Sequence, residues 1–198
     1  MELKASIAAK PNARTLAILG AVYHKQGRDA DARSVFNDAI KLDPSAPEPY
    51  TGLAALEVQA GESEKAIELY GKAIDADPEY VDARLNRGSL LFDLGQLDAG
   101  IQDELAVLKI QPLSAEARFN LAIGLLKQGK EDDALQQLAI IAEYRSDYLP
   151  AHLQYGLLLY RAGRTDEAIE QFREVLRLDP GNVSARSALL QMGAGQTD

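Results

Sequence analysis

The sequence predicts an all-α protein built as an α-solenoid of stacked antiparallel helix pairs. Three observations predict it. Proline recurs every 34 residues, at Pro44, Pro78, Pro112 and Pro180, with Ser146 on the one beat missed. Glycine keeps the same period without a gap, at Gly27, Gly61, Gly95, Gly129 and Gly163. Five residues after each glycine stands a small residue: Ala32, Ala66, Gly100, Ala134 or Ala168. A fixed period of this length, kept through five cycles, marks helical units that bury their apolar faces against one another. A chain of 198 residues could hold one domain or two, and the period favours one continuous array over residues 13–182. Stacked repeats are mostly binding surfaces.

Residues 1–12 read as a short arm or as the remnant of a preceding second helix, with Pro11 one residue off the beat. The first repeat, 13–46, predicts helices at 14–26 and 29–42. The second, 47–80, shows the logic most fully. Pro47, Glu48 and Pro49 open its first helix, because proline suits a first turn and glutamate suits the positive end of the helix dipole. Leu53 and Leu56 share a face, and Gly61 ends the helix where a left-handed backbone is needed. Ala66, Ile67, Tyr70, Ala73 and Ile74 form the apolar stripe of the second helix, and Asp77-Pro78 stops it. The same reasoning places helices at 82–94 and 97–110 in the third repeat, 81–114. It gives 116–128 and 131–144 in the fourth, 115–148, and 150–162 and 165–178 in the fifth, 149–182. Residues 183–192 form a last helix that caps the array, and 193–198 are a tail.

Two repeats depart from the pattern. In the third, Arg84 sits at an aromatic position of the repeat, Arg87 at a leucine position and Glu104 at the second helix's aromatic position. Buried charges must pair, so Arg87 is expected to bridge to Asp103 or Glu104 across the helix pair. In the fourth, Ser146 replaces proline, and Tyr144, Tyr148, Leu149 and Pro150 crowd that turn, predicting a locally different path.

Composition narrows the function. A net charge of −9 and a pI near 4.8 argue against nucleic acid, which needs clustered Lys and Arg. The absence of cysteine removes disulfides, thiolate chemistry and cysteine metal sites. No apolar run approaches the roughly 18 to 20 residues of a membrane span, and the first ten residues lack a signal-peptide core. Direct membrane insertion is not expected; the cytoplasm is the default location, and the periplasm is equally permitted.

Little points to chemistry. His24 and His152, the only two histidines, lie in different repeats with no second ligand at helical spacing. His152 is expected to pack, and His24 to be solvated on the inner helix face. No serine has a nucleophile-elbow context, and no glycine loop would cradle a phosphate. Glu131, Asp132 and Asp133 open a helix, where negative charge favours the dipole. The expectation is a protein that is not an enzyme, with no cofactor and no metal.

The repeat pattern resembles the tetratricopeptide repeat (TPR) family. The first repeat shows Leu19, Gly20, Tyr23, Ala32, Phe36, Ala39 and Pro44, and the fifth shows Gly156, Ala168, Phe172 and Pro180. The resemblance covers residues 13–182, 170 of 198. It implies a right-handed superhelix whose first helices line a concave groove for a protein or peptide partner. Mapped onto this chain, the groove would present Ala17, Ala21, His24 and Lys25 in repeat one, then Thr51, Ala55, Val58 and Gln59 in repeat two. Repeat three would present Leu85, Asn86, Ser89 and Phe92, and repeat four Phe119, Asn120, Ile123, Leu126 and Lys127. Repeat five would present Leu153, Gln154, Leu157, Tyr160 and Arg161. The large apolar residues gather in repeats three to five, and that surface is the expected binding site. Asn86 and Asn120 could hold a peptide backbone, with Lys127 and Arg161 on the rim. The same surface could instead join two copies in a homodimer, or the chain could be the interaction segment of a longer protein. No three consecutive repeats supply the lysine and asparagine set with which TPR co-chaperones hold acidic tails, so binding of Hsp70 or Hsp90 C-terminal tails is disfavoured.

Overall fold

The computed structural model describes residues 12–194, so the N-terminal arm up to Pro11 and the final 195–198 lie outside the described residues. Eleven α-helices and no strands are found among the described residues. They are α1 (Ala13–Lys25), α2 (Asp29–Leu42), α3 (Pro47–Gln59), α4 (Ser63–Ala76), α5 (Val81–Asp93) and α6 (Leu97–Ile110). Then come α7 (Ala115–Lys127), α8 (Glu131–Tyr144), α9 (Leu149–Arg161), α10 (Thr165–Leu178) and α11 (Val183–Gln191). The chain divides into two compact units, residues 1–110 and 111–198.

Local chemistry sets the helix ends. First helices other than α5 start on a side-chain cap or a proline. Asn12, Ser114 and Asn182 accept from the backbone N–H three residues on, in α1, α7 and α11. Pro47 and Pro150 occupy the first turns of α3 and α9. Second helices open on acids, such as Asp29 and Asp31 in α2 and Glu131, Asp132 and Asp133 in α8. The helix-pair turn is a Schellman motif, as at Gly61. Its φ is 78°, the Glu62 N–H donates to Glu57 O at 2.9 Å, and the Gly61 N–H donates to Val58 O at 3.0 Å. The same bond recurs at each periodic glycine, and this repeated chemistry underlies the 34-residue beat.

In the first unit, α1–α2, α3–α4 and α5–α6 pack as hairpins, with α2 also on α3 and α4 on α5. Phe36 is its wedge: it packs with Ala17, Ala32, Leu53 and Leu56. A Cβ on Gly20 would lie 2.5 Å from the Phe36 ring, and one on Gly52 would also collide with it. Tyr70 repeats the role on Ala54, Ala66, Ala73 and Ala83. In the third repeat the same place holds Glu104, fully buried, with its carboxylate over Gly88. Asp103 beside it is also buried. Arg87 forks onto Asp103 with two bonds of 2.7 Å, and Arg84 stands 3.7 Å from Asp103 Oδ1. The bonds to Asp103 hold the Arg87 guanidinium above its ordinary pKa. The ion pair expected from the sequence is therefore formed, with Asp103 as partner.

In the second unit α7–α8 and α9–α10 form hairpins, α8 packs on α9, and α11 covers α10. Leu138, Ile141, Leu158, Leu159, Phe172 and Val175 are its largest fully buried side chains.

A further link recurs at the junctions between repeats. Tyr50, Arg84, Arg118 and Arg186 each donate to the carbonyl of the proline six residues earlier: Pro44, Pro78, Pro112 and Pro180. The exception is the missed beat. Where Ser146 replaces proline, the equivalent side chain is His152, which is buried and turns to Gln171 at 2.8 Å.

Candidate protein-interaction surface

In the first unit, Ala17, Ala21, His24, Lys25, Thr51 and Ala55, which the sequence was expected to turn towards a partner, line a pocket of about 500 Å³. Ala17 and Ala21 of α1 and Gly52 and Ala55 of α3 make its floor, with Phe36 beneath and Ile18 as a wall. Ile18 is 49 % exposed, and small residues opposite it create the recess. The rim is polar and bipolar. Arg14, Glu48, Tyr80 and Asp82 lie towards the amino ends of α1, α3 and α5; His24 and Lys25 close the carboxyl end of α1. His24 Nδ1 pairs with Asp29 at 2.8 Å, and Gln59 donates to the other oxygen of Asp29 at 3.1 Å. Burial, and then the charges of Asp82 and Glu48, push the Tyr80 phenol up to about 12. Val58 is exposed and stands apart from this pocket.

In α5 the expected surface is only half present. Leu85 and Phe92 are buried, 9 % and 4 % exposed, and are corrected from partner contacts to packing residues. Phe92 fills the space over Gly100, where a Cβ would lie 2.5 Å from its ring. Asn86 and Ser89 remain exposed.

In the second unit, Phe119, Asn120, Ile123 and Leu126 of α7 are half-buried and Lys127 is exposed. Phe119 meets Tyr148 edge-on, with centroids 5.9 Å apart at 71°, so part of its surface serves the local fold. On α9, Leu153 and Gln154 are half-buried. Leu157 and Tyr160 are 42 % and 44 % exposed. Leu153, Leu157 and Tyr160 fall at i, i+4 and i+7 and make one stripe. Arg161 holds Glu131 at 2.5 Å, which fixes a charged edge beside it.

Models of the tetratricopeptide repeat match residues 13–56, 51–115 and 119–183, most of the chain. The chain belongs to the tetratricopeptide repeat family. No curated protein matches it in sequence. Among solved TPR structures, one from a functional characterization of Pseudomonas aeruginosa pilF aligns with a TM-score of 0.82 at 19 % identity. That alignment covers 91 % of this chain and 82 % of the other. PilW, a type IV pilus biogenesis factor, aligns at 0.77 and 19 % identity, covering 93 % of this chain and 87 % of PilW. YrrB, described as a TPR protein with an unusual peptide-binding site, aligns at 0.69 and 21 % identity, covering 95 % and 97 %. These likenesses establish the TPR fold. Among the described residues no helix is long and apolar enough to cross a membrane.

The sequence reading missed Arg14, Ile18, Glu48, Tyr80 and Asp82, all of which line the TPR pocket of the first unit. One signal for them was available: Arg14, Glu48 and Asp82 stand 34 residues apart, a charged column at the start of three successive first helices.

Proposed function

We propose that this TPR protein is a non-catalytic scaffold that holds a partner segment on its first-helix faces, with aliphatic and aromatic anchors on α9 as a principal contact. The TPR fold serves protein–protein interaction in general, and one observation carries the finer reading. Leu157 and Tyr160 leave two large apolar side chains in solvent on a helix whose other side is packed. A solvated helix face gains nothing from such residues, whereas a partner's apolar side chain does. Leu153, Ile123 and Phe119 would extend the anchor set, with Gln154 and Asn120 as amide groups and Lys127 and Arg161 as charges at its edge. A peptide-binding site is ascribed to YrrB, a protein of the same fold; the reading for this chain rests on its own residues.

The test is capture of partners by the wild-type chain beside a Leu157→Glu, Tyr160→Glu variant. Both residues are exposed, so circular dichroism of the variant should match wild type. Light scattering of both proteins shows whether the captured partner is a second copy. Partners lost by the variant support the assignment; partners retained at full yield refute it.

A further inference from the structure

The pocket of the first unit differs in kind from the apolar stripe on α9. Its floor is small and apolar, and opposite charges stand at its two ends. We propose that it is a distinct recognition site for an extended protein segment carrying a basic side chain, an aliphatic residue, and an acidic group about five residues from the basic one. This rests on the reading that first-helix faces hold partners and adds the chemistry of the segment.

The basic side chain belongs at the Glu48–Tyr80–Asp82 end. Two carboxylates beside a phenol ring suit an ammonium or guanidinium, through charge-assisted hydrogen bonds and contact with the ring. Arg14 is the cation already near Glu48, but it is 82 % exposed at a separation of 3.9 Å, and it leaves the carboxylate able to receive another donor. The surrounding field agrees. Residues 47–104 carry 13 acidic and 4 basic side chains, a net charge equal to the −9 of the whole chain. A cationic segment is therefore drawn to this part of the protein.

The aliphatic residue belongs on the floor. Ala17, Ala21, Gly52 and Ala55 leave about 500 Å³ open, room for a leucine-sized side chain and its backbone. The acidic group belongs at Lys25, which is exposed at the opposite end. His24 is held by Asp29, so Lys25 is the cation that reads the segment there. From Arg14 to Lys25 the rise along α1 is roughly 16 Å at 1.5 Å per residue. An extended chain covers that in about five residues.

The test uses acetylated, amidated octapeptides with a central leucine and with lysine and glutamate five positions apart. Both orders are made, and glutamine replaces either or both charges in controls. Binding to the full chain is measured by fluorescence anisotropy, with circular dichroism on every variant. One charge order should bind wild type about tenfold tighter than the glutamine controls. Glu48→Gln with Asp82→Asn should erase the preference for lysine, and Lys25→Gln the preference for glutamate. Ala21→Arg, at an exposed position, should fill the recess and abolish binding of every peptide. If the peptides bind alike and Ala21→Arg still abolishes binding, the charge code is overturned while the first-helix face stands as a binding surface. Binding unchanged by Ala21→Arg, or no binding by any peptide, overturns the site itself.

Discussion

The buried ion cluster of the third repeat gives the most exacting test of how this solenoid is held together. Arg87 contributes both of the 2.7 Å bonds received by Asp103, a carboxylate only 4 % exposed. Arg87→Ala strands that carboxylate with Arg84 alone, 3.7 Å distant. Breaking a buried pair costs about 3–5 kcal/mol. The guanidinium of Arg87 is 24 % exposed and Arg84 keeps some attraction, which places the loss near the lower end, about 3 kcal/mol. In a chain of this length that lowers Tm by about 6–12 °C. Urea denaturation followed by circular dichroism measures it. The same principle predicts the opposite result for a full apolar replacement. The triple variant Arg87→Leu, Asp103→Leu, Glu104→Leu copies what Leu53, Leu69 and Leu138 do at the equivalent places of neighbouring repeats. It should match wild type or exceed it by about 1–4 kcal/mol, because no carboxylate is left buried and Arg84 keeps its bond to the Pro78 carbonyl. A loss below about 1 kcal/mol for Arg87→Ala, or a triple variant no more stable than that single one, would refute the reasoning.

Four further outcomes are expected. Gly20→Ala should cost about 1–3 kcal/mol in urea denaturation, because its methyl would meet the buried Phe36 ring. Gly71→Ala should instead gain about 0.5–1 kcal/mol, since its nearest neighbour is Arg87 Nη1 at 3.7 Å and α4 merely regains helix propensity. Ser146→Pro should stabilise by about 0.4–1 kcal/mol. Arg145, at φ −131° and ψ 64°, already approaches the backbone of Asp179 before Pro180, at −135° and 89°. In a tyrosinate absorbance titration, Tyr80 should ionise near 12, and Tyr80→Phe should remove that late step. Folding raises this pKa from 10.0, so its contribution is complete below pH 10 and is lost as pH climbs towards 12.

The helices were legible because their punctuation is local. A Schellman glycine, a helix-ending Asp-Pro and a proline-rich first turn each act within a few residues, and every predicted boundary lies within one residue of the helix observed. The Arg87–Asp103 pair was legible for a different reason. Charges at places that neighbouring repeats fill with leucine and tyrosine have to find each other. Which first-helix residues face solvent was not legible. Register makes Phe92 and Tyr160 equivalent, two periods apart, yet Phe92 is buried and Tyr160 is not. The difference lies across the helix pair, where Gly100 stands in a column of alanines and leaves room for a ring. The pocket of the first unit escaped because large apolar side chains are easy to see in a sequence, while a recess is made by small ones. Ala17, Ala21, Gly52 and Ala55 form a surface by what they omit.

The missed proline shows that the repeat conserves a bond rather than a residue type. At four junctions the carbonyl after a second helix is tied to the next first helix, once by a phenol and three times by a guanidinium. Tyr and Arg share little except a long side chain ending in a donor, and that is all the link requires. At the fifth junction both partners change together. The proline is gone, and His152 is too short to reach back; it points inward to Gln171 instead. The turn is then held by its own residues. Arg145 forks onto Asp147 at 2.8 and 3.1 Å, and its guanidinium lies 6.0 Å from the Tyr148 ring, which in turn packs on Phe119. Arg145 and Asp147 are exposed and only two residues apart. An exposed pair contributes little and is screened by salt. This junction therefore depends on ring packing more than on hydrogen bonding, and Tyr148→Ala should loosen it more than Arg145→Ala does.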